Sequence, residues 1–237
     1  MINKALLKSE ADKIGVILDE TALSRLDEYA EMLVETNKTL NLTAITDLDE
    51  IVYKHFVDSL SLLTCVELKE NAKVIDVGTG AGFPGVVLLI ARPDLKITLL
   101  DGTNKRLVFI SNVLEKIGLD AEIVHMRAEL AGRDPSFREK YDLVTARAVA
   151  NLNTLSEYCM PFVKVGGVFA PMKSAKTDEE VAAAKGAINR LGGKINEIKE
   201  LNIENCGERY VIITKKISQT PPKYPRASAQ ISKKPLS

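Results

Sequence analysis

The run VIDVGTGAGFPG at 74–85 constrains this chain more than any other. An apolar, β-branched stretch ends in an aspartate, and four glycines follow within eight residues. A strand that breaks into closely spaced glycines and resumes as an apolar helix makes a turn whose backbone N–H groups and helix start face a ligand. Pro84 suits a first helical turn, so the helix is expected to begin there. The flanking sequence agrees. From Val74 onward, strand patterns at 74–77, 96–101, 121–126, 141–146, 166–172, 195–203 and 208–217 alternate with helical patterns at 84–92, 104–117, 151–160 and 178–191. This rhythm predicts an α/β fold, a seven-stranded and mostly parallel sheet with helices on both faces. Only ENCG at 204–207 separates the last two strands, which reads as a closing hairpin.

Before the sheet the pattern is helical. At 19–40, Leu23, Leu26, Ala30, Leu33, Asn37 and Leu40 recur at three-four spacing behind a capping aspartate. At 48–63, Ile51, His55, Ser59 and Leu63 share a stripe, with NLTAIT at 41–46 as connector. The expected organisation is an N-terminal helical extension at 1–70, a main domain at 71–217 and a Pro/Ser/Lys-rich tail at 218–237. That tail is expected not to pack as a domain. Lys+Arg and Asp+Glu both number 32, so no global field draws the chain to nucleic acid or membrane, and any basic surface is local. The apolar runs are too short to span a bilayer and no secretion signal opens the chain, which predicts a cytoplasmic protein. Cys65, Cys159 and Cys206 are odd in number and far apart, which argues for reduced, buried thiols and against a disulfide framework or a metal site.

Gly80-x-Gly82-x-x-Gly85 satisfies the dinucleotide pattern, which alone is weak. The first glycine off the strand is Gly78, however, and counted from it Phe83 stands where the third glycine belongs. Asp76 lies two residues earlier. A carboxylate there repels a pyrophosphate but accepts hydrogen bonds from an ammonium group. That charge logic favours S-adenosylmethionine, which ends in an amino acid, over NAD. Asp101, closing the second strand, is placed to hold both ribose hydroxyls, and Ala128 and Glu129 after the third strand to flank an adenine.

The chemistry is narrowed by what the chain lacks. After the fourth strand stands TARAVANL, without the Asn/Asp-Pro-Pro-aromatic run that grips exocyclic amines. Pyrimidine carbon-5 methylation needs a cysteine nucleophile in a Pro-Cys or Thr-Cys setting; Cys159 lies inside a helical pattern and Cys206 in a hairpin, so neither fits. A guanine N7 carries a free lone pair and no proton, so positioning and electrostatics suffice. Arg147, where the fourth strand meets the cleft, is a candidate for the cofactor carboxylate or an RNA phosphate. Lys173, ending the fifth, is a candidate for a phosphate or the guanine O6. His55 and Asp58 share a helix face, in a core, capping or substrate role. Tyr53 and Phe56 read as core. Six basic residues and no acid follow from Lys215 onward, so the tail either grips phosphates or is merely solvated. Its removal is expected to leave cofactor binding alone.

The stretch from Val74 to Ile110, with NKTLNLTAIT, HFVDSL, YDLVTARAVANL and APMKS, resembles the small-subunit ribosomal RNA guanine-N7 methyltransferases, the RsmG or glucose-inhibited division protein B family. The similarity covers nearly the whole chain in order. It implies a class I methyltransferase fold with an N-terminal helical extension, S-adenosylmethionine as cofactor, and 16S ribosomal RNA or the small ribosomal subunit as partner; a monomer is expected, although the sequence leaves the oligomeric state open. Carried over by position, Gly78, Phe83, Ala128, Glu129 and Arg147 would hold the cofactor, with Asp101 on its ribose; Asp76 and Gly80 join them from the turn. Arg147 and Lys173 are the catalytic candidates. Two positions depart from the pattern: Lys173-Ser174 replaces Lys-Gly, and PRASAQ in the tail lacks the family's lysine and glycine. An NAD-dependent oxidoreductase and a non-catalytic nucleoside-binding module stay as alternatives.

Overall fold

A computed structural model describes residues 1–147, 150–174 and 178–237. Its centre is one seven-stranded sheet in the order β3-β2-β1-β4-β5-β7-β6. The strands are β1 (Lys73–Val77), β2 (Lys96–Asp101), β3 (Glu122–His125), β4 (Tyr141–Arg147), β5 (Val163–Lys173), β6 (Gly193–Leu201) and β7 (Arg209–Lys216). The first five pair in parallel, while β7 enters antiparallel between β5 and β6. Chain order reverses between β1 and β4, so a crevice opens at their C-terminal ends, the place where open α/β sheets bind ligands.

Strand periodicity sorts the core into two layers. Val74 packs into one, Ile75 and Val77 into the other. The first layer holds the apolar faces of α5 (Gly85–Ala91) and α6 (Asn104–Ile117), together with helices from the first seventy residues. The second holds α8 (Leu152–Cys159), α9 (Asp178–Arg190) and the chain's C-terminal end. Helix α5 starts at Gly85, one residue beyond the expected Pro84, which serves as its N-cap.

At the N-terminus, α1 (Lys4–Lys13) was not singled out by periodicity; it is pinned by Ile2 N–H donating to Asp27 at 2.7 Å. Helix α2 (Glu20–Leu40) begins where Asp19 accepts from Ala22 N–H at 2.7 Å. Its buried stripe runs through Leu23, Leu26, Ala30 and Leu33. Asn37 leaves that stripe and closes the following turn, bonding both the N–H and the carbonyl of Thr43 at 2.9 Å. The pattern at 48–63 forms α3 (Leu48–Ile51), a π-helical segment (Val52–Val57) and α4 (Asp58–Cys65). Side chains take up carbonyls of the wider turn: Cys206 Sγ donates to Tyr53 O and Arg147 to Lys54 O.

Residues 218–237 form a strap bound to the domain and carry a short helix, α10 (Ser228–Lys233). A solvated tail is thereby corrected. Arg133 and Arg138 donate to the carbonyls of Thr220, Tyr224 and Pro225, and Thr220, Tyr224, Ile231 and Leu236 are buried. Two of the six late basic residues are committed to internal partners. Lys216 donates to Met160 O at 2.7 Å, and Arg226 forks onto Glu157 at 2.8 and 2.6 Å.

Candidate functional site

The glycine-rich turn is built from beneath. Asp76, fully buried on β1, accepts from Thr79 Oγ1 at 2.7 Å and from Gly85 N–H at 2.9 Å, both at Oδ2. Its Oδ1 is buried without a partner among the described residues. Burial pushes this carboxyl up to about 6, against the pull of the Thr79 and Gly85 hydrogen bonds. Two glycines are sterically required. A Cβ on Gly85 would come within 2.3 Å of Leu99 and 3.0 Å of Asp76, and one on Gly82, at φ +105°, within 2.7 Å of Tyr29 and Val86. Tyr29 then fixes the turn from above by donating to Ala81 O at 2.5 Å. Asp76 therefore braces the turn and does not stand on the wall of the cavity above it, where an ammonium acceptor was expected.

That cavity, of about 560 Å³, is lined by Gly78, Gly80, Asp101, Ala128, Glu129 and Arg147 among others. Asp101 accepts from Gly80 N–H at 3.0 Å and Thr103 N–H at 2.8 Å, which ties the end of β2 to the turn. Two bonds leave a carboxylate with spare acceptor capacity, as a ribose diol needs. Ala128 and Glu129 open α7 (Ala128–Ala131) at the same wall. Phe83 is the exception. Its ring is buried, stacked on His55 at 4.4 Å and on Tyr29 at 5.2 Å, and is not among the lining side chains. It joins the turn to the N-terminal helices and lies under Arg147, whose guanidinium carbon is 5.0 Å from the ring centre.

Arg147 borders a second cavity of about 280 Å³ as well, at the small end of the range for ligand pockets. Of the side chains there, Lys54, Arg147, Lys173 and Arg209 are cationic, and Asp58 alone is anionic. Asp58 is buried between two arginines: Oδ2 accepts from Arg147 at 2.7 Å, Oδ1 from Arg209 at 3.1 Å. Arg147 Nη2 meets His55 Nδ1 at 3.3 Å. The same Nδ1 lies 3.2 Å from Lys54 O, and Nε2 is 2.9 Å from Thr43 Oγ1, so both ring nitrogens have polar neighbours. Burial, then the charge of Arg147, lowers the His55 pKa to about 3, so the ring is neutral. Lys173 extends from β5 to Glu180 at 2.8 Å and Ala150 O at 3.1 Å. Both catalytic candidates are thus held by internal partners at the rim of the second cavity.

Arg209 was missed by sequence reasoning. The signal lay in topology: because β7 runs antiparallel, its first residue arrives at the C-terminal end of β5, where Tyr210 pairs with Lys173. The TARAVANL segment includes positions 148–149, which lie outside the described residues. Among the described residues no group of three or more His, Cys, Asp or Glu is placed to hold a metal ion. No described helix is long and apolar enough to cross a membrane. The three cysteines are free and buried.

A family model described as rRNA small subunit methyltransferase G, GidB, matches residues 22–210. The chain is 46% identical over 100% of both chains to the ribosomal RNA small subunit methyltransferase G of Alkaliphilus metalliredigens. To the protein of that name from Acetivibrio thermocellus it is 49% identical, over 98% of this chain and 96% of the relative. Among solved structures it aligns with a SAM-dependent O-methyltransferase from Thermotoga maritima at a TM-score of 0.54 and 16% identity, over 80% of this chain and 72% of the other. A SAM-dependent methyltransferase from Aquifex aeolicus aligns at 0.53 and 18%, over 78% and 98%. At such identities these two likenesses speak to the fold alone, the class I methyltransferase architecture.

Proposed function

The chain belongs to the rRNA small subunit methyltransferase G family, and on that premise we propose that it transfers a methyl group from S-adenosylmethionine to N7 of one guanine in 16S ribosomal RNA. The observation that carries this reading is the placement of Arg147, a fixed guanidinium on the walls of both cavities. The larger cavity suits the nucleoside: Asp101 for the ribose, Ala128 and Glu129 for the base, Gly78 and Gly80 for close backbone approach. The spare buried acceptor of Asp76 below the turn adds negative potential suited to a cationic ligand. When bound, the cofactor supplies an electrophilic methyl group.

The smaller cavity suits the RNA. Its excess of cations favours a phosphate-bearing ligand, and Lys173 is placed to hold a phosphate or the guanine O6. N7 has no proton to lose, so the chain needs no general base. His55 fits this, being neutral with both ring nitrogens engaged. The purine gains a positive charge on methylation, and Asp58 is the carboxylate nearest to hand for it. A ribosomal RNA substrate places the work in the cytoplasm. No observation favours an oxidoreductase or a non-catalytic module. The test is twofold: labelled S-adenosylmethionine should bind and NADH should not, and methyl label should pass to small-subunit RNA from cells lacking the protein. Tight NADH binding without methyl transfer would refute the reading.

A further inference from the structure

The cofactor cavity has a wall that no glycine or carboxylate supplies. Tyr158 of α8 and Ser228 and Ser232 of α10 line the same space as Asp101, Ala128 and Glu129. Tyr158 OH and Ser228 Oγ are 3.1 Å apart. Their meeting is set by a clamp immediately beside them in sequence. Glu157, fully buried, accepts from the Arg226 backbone N–H at 2.9 Å and from its guanidinium at 2.8 and 2.6 Å. The same guanidinium donates to Lys234 O at 3.0 Å, so one side chain secures the strap just before and just after α10. A buried carboxylate with a forked partner is costly to open. The strap also lies on the helix that carries Ala128 and Glu129, since a Cβ on Gly132 would come within 3.2 Å of Pro225.

We propose that the C-terminal strap is part of the cofactor site, and that the hydroxyls of Tyr158 and Ser228 recognise the polar edge of the adenine. Adenine presents an amino donor beside ring acceptors, and a hydroxyl both donates and accepts. The Glu129 carboxylate can accept from the amino group, and the hydroxyl pair lining the same cavity can serve the ring acceptors beside it. Glu157 and Arg226 are positioning residues, acting through the hydroxyl pair. The expectation that the tail can be removed without consequence for cofactor binding is replaced by its opposite. This inference rests on the S-adenosylmethionine reading above.

The test is calorimetric binding of S-adenosylhomocysteine and of its inosine counterpart, which lacks the amino group, to the full-length chain. Tyr158→Phe and Ser228→Ala keep the Glu157–Arg226 clamp, and unchanged unfolding temperatures without ligand would show that the fold is kept. Each variant should bind the adenosine ligand roughly 3- to 10-fold more weakly. Binding of the inosine ligand should change little, so the preference between the two collapses. Arg226→Ala should weaken both ligands, with partial recovery in Arg226→Lys. Hydroxyl variants that keep full affinity and full preference would overturn the inference while leaving the cofactor reading intact. A wild-type chain that binds neither ligand would overturn both.

Discussion

Asp76→Asn separates what the buried carboxylate does from what it costs. In the wild-type chain Oδ2 holds Thr79 and Gly85, and Oδ1 is buried without a partner among the described residues. An amide keeps one oxygen for Thr79 and Gly85 and places an NH2 where Oδ1 stands, an unpaired donor worth about 1–3 kcal/mol against the variant at every pH. The pH-dependent part has the opposite sign. Burial, the largest cause, raises the carboxyl from 3.8 to about 6 in the folded chain. Because the folded value lies above the unfolded one, the aspartate stabilises the fold most below about pH 4 and loses ground as pH rises through about 6. A separation of about two units corresponds to about 3 kcal/mol. Asparagine does not titrate. Urea unfolding of both proteins between pH 4 and pH 8 should show the stability difference moving by about 2.5 kcal/mol in favour of the variant, most of it before pH 7. Parallel profiles across that range would refute the claim that this carboxylate is buried and under-solvated.

Asp101→Ala should weaken S-adenosylmethionine binding by about 1.5–3 kcal/mol, read by calorimetry, since under the proposed function this carboxylate makes charge-assisted bonds to the ribose. Unchanged affinity would remove Asp101 from the site. Arg147→Ala should abolish methyl transfer, measured on small-subunit RNA with cofactor affinity followed separately; retained turnover would place the reacting centre elsewhere. Cys159→Ala and Cys206→Ala should retain activity, because burial pushes both thiols up, Cys206 to about 11, and neither offers a thiolate near neutral pH. A loss of transfer in either folded variant would reopen nucleophilic catalysis.

The sheet was legible because its signal is local. A strand such as VIDV and a helix such as 104–117 announce themselves by period, and the observed α6 spans the same residues. The strap was not legible. Its Pro, Ser and Lys content has no period, and its order comes from Arg133, Arg138 and Glu157, which lie some 70 to 90 positions away in sequence. For the site, residues fixed by the turn and by strand ends lie on the cavity wall: Gly78, Gly80, Asp101, Ala128 and Glu129. Phe83 was read by position on the turn, yet its ring points into the helical extension because Tyr29 and His55 offer it flat apolar faces. Arg209 depended on β7 inserting between β5 and β6, a strand order that the hairpin reading does not fix.

Under the proposed function, the atom that receives the methyl group is a guanine N7. Small-subunit RNA methylated by this protein, then reduced with borohydride and treated with aniline, should break at one guanine, because that sequence cleaves at N7-methylguanine. Methyl label incorporated without strand cleavage would place the mark on another atom and contradict the account.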